Sequence, residues 1–228
     1  DVLRGPQGTL YGQNTEGGLV RMYSKSPMRY QGTDINLGIG TRLYRKAEAA
    51  HYQKVSDHFA FSVAGFYNGQ NGFFRNQTTG DRADKIDEAG GRIALAFRPA
   101  NRWNVTLTSD YQYTRQNGFP YGQIDPETGT TAQPATNLQG NYRRNSLISG
   151  LNISYEGSLA DFASVTSYQY LKDYMLMDID YTPIDFMHLE QRQLQNSFTQ
   201  ELTLRSKQKG IWRWTTGAFF SASWLKTW

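Results

Sequence analysis

From residue 31 onward the chain alternates apolar side chains with small or polar ones. A repeat of two describes extended strands with one greasy side and one polar side. Ile35, Leu37 and Ile39 alternate with Asn36, Gly38 and Gly40, and Phe59, Phe61, Val63 and Tyr67 with Ala60, Ser62 and Ala64. Ile93, Leu95 and Phe97 alternate with Arg92, Ala94, Ala96 and Arg98. The clearest run sets Trp103, Val105, Leu107, Tyr111 and Tyr113 against Asn104, Thr106, Thr108, Asp110 and Gln112. At about eleven residues it exceeds the roughly five or six of an ordinary soluble strand. Further strands are predicted at 46–55, 147–155, 159–170, 194–205 and 211–223, about nine in all.

Strand length and connection length together narrow the architecture. A strand tilted across a bilayer needs about 9 to 11 residues, and barrels built this way have short turns at one end and long loops at the other. Short links are predicted at 56–58, 99–101, 156–158 and 206–210, and long polar stretches at 68–87, 116–141 and 172–191, with one tight hairpin near 41–45. Trp103, Trp212 and Trp214 fall beside short turns, and Tyr111, Tyr113, Tyr168 and Tyr170 beside long loops, so they are expected to form two aromatic girdles. The predicted fold is all-β, a partial transmembrane antiparallel β-barrel. The competing architecture is a soluble β-sandwich with the same aromatics in its core.

Composition agrees with a barrel and excludes other classes. At 38% hydrophobic residues the chain is too polar for a helical membrane protein, and no stretch approaches the roughly 18 to 20 apolar residues that a spanning helix needs. Aromatic residues make up 14%, with 15 Tyr. Cysteine is absent, which removes disulfides, thiol catalysis and thiolate metal sites. The net charge of +4 is scattered, so no nucleic-acid partner is expected. His51, His58 and His188 are dispersed, and Asp178, Asp180 and Asp185 lack the spacing of a calcium loop. Asn76-Gln77-Thr78 has the form of a glycosylation acceptor without the context for one. With no nucleophile, base and orienting acid as a set, neither enzyme activity nor a cofactor or metal site is expected.

The first 27 residues break the alternation. Val2 and Leu3 are predicted to end a strand, Gly5-Pro6-Gln7-Gly8 to turn tightly, and Gly17-Gly18 to bend before a strand over 19–24. Glycine at Gly5, Gly8, Gly12, Gly17 and Gly18 suits backbone packed closely against a wall. This segment resembles the C-terminal end of the plug domain of TonB-dependent receptors. In that family a Leu-Arg-Gly-Pro-x-Gly turn is followed by Leu-Tyr-Gly, Gly-Gly and a strand ending in Thr-Lys-x-Pro. Here Arg4, Gly5, Pro6 and Gly8, then Tyr11 and Gly12, then Gly17 and Gly18 keep that order, and the last piece reads Ser24-Lys25-Ser26-Pro27. Thr199-Gln200-Glu201-Leu202-Thr203-Leu204 is similar to the family's Gln-Glu-Leu strand.

The resemblance implies that residues 1–27 end a plug and residues 28–228 begin a barrel of about 22 strands, whose lumen is too wide for side chains to fill. It implies a bacterial outer-membrane receptor that takes up a scarce nutrient, an iron-siderophore complex by default, with energy from the TonB complex. Outer-membrane lipid is the other partner. Glu201 shares a strand face with Ser197, Thr199, Thr203 and Arg205 and is expected to point into the lumen, where it would pair with Arg4 of the plug. A signal peptide and the TonB contact are expected upstream of Asp1, and more barrel beyond Trp228. A passive porin is the alternative inside the membrane, and a carbohydrate-binding β-sandwich the alternative outside it.

Overall fold

The computed structural model describes residues 2–5, 17–20, 22–207 and 212–228. Two short strands, β1 (Val2–Arg4) and β2 (Gly18–Val20), pair antiparallel and place Arg4 opposite Gly18. The remaining strands are β3 (Gly32–Gly40), β4 (Tyr44–Lys54), β5 (Phe59–Gln70), β6 (Ile86–Phe97), β7 (Trp103–Gln116), β8 (Asn141–Glu156), β9 (Ala160–Asp178), β10 (His188–Ser206) and β11 (Thr215–Thr227). They form one nine-stranded antiparallel meander in which sequence neighbours are always sheet neighbours. β3 and β11 are its two edges and do not pair with each other. Among the described residues no helix is long and apolar enough to cross a membrane.

All nine predicted strands are present, and most run further than the alternation suggested. β9 and β10 reach 19 residues each, so the connection read as 172–191 shrinks to 179–187. Polar residues such as Lys172, Asp173 and Gln191 looked like loop, yet they pair across the β9–β10 ladder. Backbone pairing extends past the greasy band, and side-chain polarity does not report it. The strand expected over 19–24 stops at Val20, and residues 22–26 carry no strand. The last strand is shifted toward the C-terminus, at Thr215–Thr227.

The register gives the sheet two chemically distinct faces. Phe61, Leu95, Leu107, Leu151, Thr166 and Gln200 follow one another across β5 to β10 on the apolar face. Among the described residues nothing covers that face: Ile39 is 93% exposed, and Trp103, Leu107 and Phe97 stand at 36%, 41% and 44%. A sandwich would bury these residues in a second layer. The few polar groups on this side are matched to one another, as a hydrocarbon environment demands. Ser109 Oγ and Ser149 Oγ lie 2.9 Å apart. Thr166 Oγ1 donates to Gln200 Oε1 (2.6 Å), and Gln200 Nε2 donates to Ser164 Oγ (2.9 Å).

One end of the sheet carries only short connections, and the other carries the three long ones together with one tight hairpin. Residues 55–58, 98–102, 157–159 and 207–214 join strands at one end, and residues 41–43, 71–85, 117–140 and 179–187 at the other. The tight 41–43 hairpin holds Arg42 and Leu43 at φ 59° and 54°, the left-handed pair that matches strand twist and is usually supplied by Asn-Gly.

The largest fully buried side chains among the described residues, Asn76 and Pro134, lie among the long loops. Asn76 is 1% exposed. Its Nδ2 donates to the carbonyl (2.9 Å) and to Oγ1 (2.8 Å) of Thr136, and its Oδ1 accepts from the Thr78 amide (2.9 Å). The Gln77 amide donates to the Pro134 carbonyl at 2.8 Å, so loops 71–85 and 117–140 are stitched together. Asp178, 4% exposed, joins the third loop by accepting from the Tyr181 amide (3.0 Å) and the Leu138 amide (3.4 Å). Asp180 accepts from the Thr182 hydroxyl (2.6 Å), the Thr182 amide (2.9 Å) and the Met187 amide (2.9 Å).

Two outcomes follow from these loop contacts. Asn76→Ala strands the buried Thr136 carbonyl at a cost of about 1–3 kcal/mol. Amide exchange at Gln77 should therefore accelerate about tenfold or more, while exchange in β7 stays unchanged. The Thr182 hydroxyl and then the Met187 amide hold the Asp180 carboxyl below the usual carboxylate range. A carboxyl depressed in the folded state adds stability above its unfolded pKa and loses it as pH falls through the folded one. Exchange protection of Thr182 and Met187 should hold at neutral pH and decline below about pH 4, and Asp180→Asn should abolish that dependence.

Candidate functional site: the two faces of the wall

Several charges of the polar face are paired, at intervals along the sheet. Glu48 on β4 accepts from Asn36 Nδ2 on β3 (3.0 Å) and lies 2.9 Å from Lys46 Nζ. Arg92 on β6 faces Asp110 on β7, Nε to Oδ1 at 3.6 Å. Arg144 on β8 grips Asp173 on β9 with two parallel bonds, Nε to Oδ1 at 2.9 Å and Nη2 to Oδ2 at 2.8 Å. Such a fork fixes both side chains and is stronger than a single contact. Between the first two sets lies a depression of about 450 Å³ whose lining includes Ala50, Ala64 and Phe66. The Phe66 ring covers Gly90, where an added Cβ would stand 2.5 Å from the ring. Fixed charges and small side chains together make a surface on which a folded segment can rest.

The chain just ahead of β3 is tied to this face. Lys25 Nζ lies 2.6 Å from Asp34 Oδ2, and Tyr30 donates its hydroxyl to the other oxygen at 2.8 Å. The Lys25 ammonium sits 4.1 Å above the Tyr30 ring, which meets Tyr52 edge-on at 5.1 Å. The bond to Asp34 raises the Lys25 amine above its usual pKa. Lys25 was legible in sequence only as part of Ser24-Lys25-Ser26-Pro27, because its partners lie across two strands.

Residues singled out from sequence are distributed as follows. Arg4 closes β1, Gly5 takes φ 80° beyond it, and Gly17 bends the chain into β2. Gly18, at φ 131°, passes so close to Leu3 that an added Cβ would stand 2.6 Å from its carbonyl oxygen. Pro6, Gly8, Tyr11 and Gly12 lie outside the described residues. Glu201 is on the polar face of β10, opposite Val165 and Phe219, and accepts from the Thr203 hydroxyl at 3.3 Å. The ion pairs among the described residues do not join it to Arg4.

Trp103 stacks against Tyr155 at 4.7 Å on the apolar face, at the end with the short connections. Trp212 and Trp214 are exposed in connection 207–214 at that same end. Tyr111, Tyr113, Tyr168 and Tyr170 are on the apolar face toward the long loops. The Tyr111 and Tyr168 hydroxyls donate to Asn145 and Asn196, each at 2.8 Å. Trp224, opposite Asn196, joins this upper group and had been readable from its parity with Phe220.

The chain is 31% identical over 119 residues to the ferrioxamine receptor of Yersinia enterocolitica, a match covering 52% of this chain and 16% of that protein. It is 25% identical over 174 residues to the catecholate siderophore receptor Fiu of Escherichia coli K12, covering 72% and 21%. The chain thus spans only a small part of these relatives. Among solved structures, the ferric yersiniabactin uptake receptor FyuA from Yersinia pestis superposes with a TM-score of 0.81 at 20% identity, over 99% of this chain and 36% of that one. The siderophore receptor PiuA from Acinetobacter baumannii gives 0.75 at 16% identity, over 99% and 35%. No family model matches the chain. Similarity of sequence and of fold thus converge on the outer-membrane siderophore receptors of the TonB-dependent kind, and the nine-stranded sheet has the build of a section of such a receptor's barrel wall.

Proposed function

We propose that this chain is part of a receptor that takes up an iron-siderophore complex across the bacterial outer membrane with energy from the TonB complex, and that it performs no catalysis. In this reading residues 1–27 end the plug and residues 28–228 begin the barrel. The observation that carries it is the polar face: charged pairs held rigidly on one side of a sheet whose other side is greasy, with the preceding segment anchored there through Lys25 and Asp34. A lumen occupied by a folded domain needs such a wall. The names of its sequence relatives, a ferrioxamine receptor and a catecholate siderophore receptor, support the substrate class.

The test is uptake of a radiolabelled ferric siderophore by iron-starved cells carrying the complete receptor. Deleting TonB should abolish accumulation while surface binding persists. Accumulation that continues without TonB and rises linearly with concentration would identify a passive pore instead.

Arg4 and Glu201 are assigned, within this proposal, the role of holding plug to wall until the energised step. Their opposite charges and the placement of Glu201 on the polar face support the assignment. In a double-mutant cycle of Arg4→Ala and Glu201→Ala, amide exchange in the plug should rise as much in either single variant as in the double. Strictly additive effects would remove the pairing.

A further inference from the structure

Three of the five methionines gather at one corner of the polar face, toward the long loops. Met175 and Met177 are two residues apart on β9, so both side chains leave the same side of the strand. That side is the polar one: Met175 continues the parity of Asp173, which Arg144 and the Tyr142 hydroxyl (3.3 Å) both reach from β8. The β9–β10 ladder sets Met175 opposite Gln191 and Met177 opposite Leu189. The same register continues past the strand ends, where the Ile179 amide donates to the Met187 carbonyl at 3.2 Å. Met187 therefore shares a face with Leu189 and stands diagonal to Met177. The Asp180 carboxylate accepts from the Met187 amide at 2.9 Å and fixes that end of the loop.

Met177 is the middle member of the group. Residues two apart on a strand are separated by about 6.6 Å, and diagonal neighbours across a ladder by about 7–8 Å. A thioether on three rotatable bonds spans either gap. Met175 and Met187 stand at opposite ends, so each reaches Met177 before it reaches the other.

The donors at this corner select the ion. Cysteine is absent from the chain. His188 is next to Met187 in sequence but, paired with Asp178, falls on the opposite parity and faces the other side. Asp173 is engaged by Arg144, and Asp180 by Thr182 and the Met187 amide. Calcium requires free carboxylate and carbonyl oxygens, and zinc imidazole, thiolate or carboxylate, whereas thioethers are soft ligands that select Cu(I). The ordinary use of methionine is to fill irregular gaps in a core. Here Met187 is 47% exposed, and Met175 and Met177 are half-buried. Met175 also lies three residues beyond Lys172, which shares a row with Tyr113, and so stands above the greasy band. Thioethers open to solvent are available to a dissolved ion.

We propose that Met175, Met177 and Met187 bind a soft monovalent cation of the Cu(I) class, with Met177 as the shared ligand. The proposal goes beyond the transport reading and is independent of it, since binding requires only the observed register.

The complete receptor, purified in detergent with isotope-labelled methionine methyl groups, is titrated in chloride-free buffer with Ag(I), a redox-inert ion of the same class, and separately with Zn(II). Ag(I) should shift the methyl signals of Met175, Met177 and Met187 saturably and leave that of Met28, which lies against Ala96 and Thr106 at the other end of the wall, unmoved. Met177→Leu nearly conserves volume and should weaken Ag(I) binding about tenfold or more, since loss of a ligand costs no less than loss of an outer-shell partner. Met175→Leu and Met187→Leu should each weaken it less, and Met28→Leu should bind like the parent. An unchanged Met28 signal in the Met175, Met177 and Met187 variants reports that the wall is still folded. Unshifted methyl signals, parental affinity in Met177→Leu, or an equal response to Zn(II) would each overturn the proposal. Failure of TonB-dependent uptake would leave it standing.

Discussion

Every backbone amide that enters hydrocarbon must find a partner inside the protein, because no water is present to replace a missing one, and each unmet group costs several kcal/mol. The meander answers that constraint strand by strand, each of the inner seven strands bonded on both sides. Once the ladder is fixed, side-chain parity is fixed with it, and the two faces become separate solvents. The apolar face can expose Leu107 and Ile39 because lipid, rather than a second protein layer, is their partner. Its polar residues obey the same rule, with Gln200 meeting Thr166 and Ser164, and Tyr168 meeting Asn196.

The polar face uses fixed charge where the other uses fixed hydrogen bonds. The Arg144–Asp173 fork and the Lys46–Glu48 contact are held by the ladder rather than by burial, and neither is enclosed. Exposed pairs of this kind contribute little to stability on their own, typically below about 1 kcal/mol. Their value is positional: they present defined charges to whatever occupies the lumen. The Lys25, Tyr30 and Asp34 cluster extends that face to the segment ahead of the first barrel strand.

Within the sheet, buried residues such as Ala60, Ser62, Ala94 and Ala96 are small, and the largest fully buried side chains lie outside the membrane-spanning part. Asn76, Pro134, Thr136 and Asp178 make the loops above the sheet a joined layer. Aromatic contacts run through it as well, with Phe119 stacked on Tyr121 and Tyr121 edge-on to Tyr181. Hydrogen bonds between the three loops thus join them into one layer above the sheet.

The alternation of residues was enough to place all nine barrel strands, their faces and the short-long order of connections, because side-chain parity is a local consequence of extended backbone. Of the glycine-rich opening only Gly5, Gly17 and Gly18 lie among the described residues, and there Gly18 passes so close to the Leu3 carbonyl that a Cβ would collide with it. What the sequence could not disclose are relations between residues distant along the chain. The true lengths of β9 and β10, the roles of Asn76 and Lys25, and the gathering of Met175, Met177 and Met187 all depend on which strand lies beside which, and at what offset. Register is settled by the whole ladder at once, so only the tertiary structure could decide them.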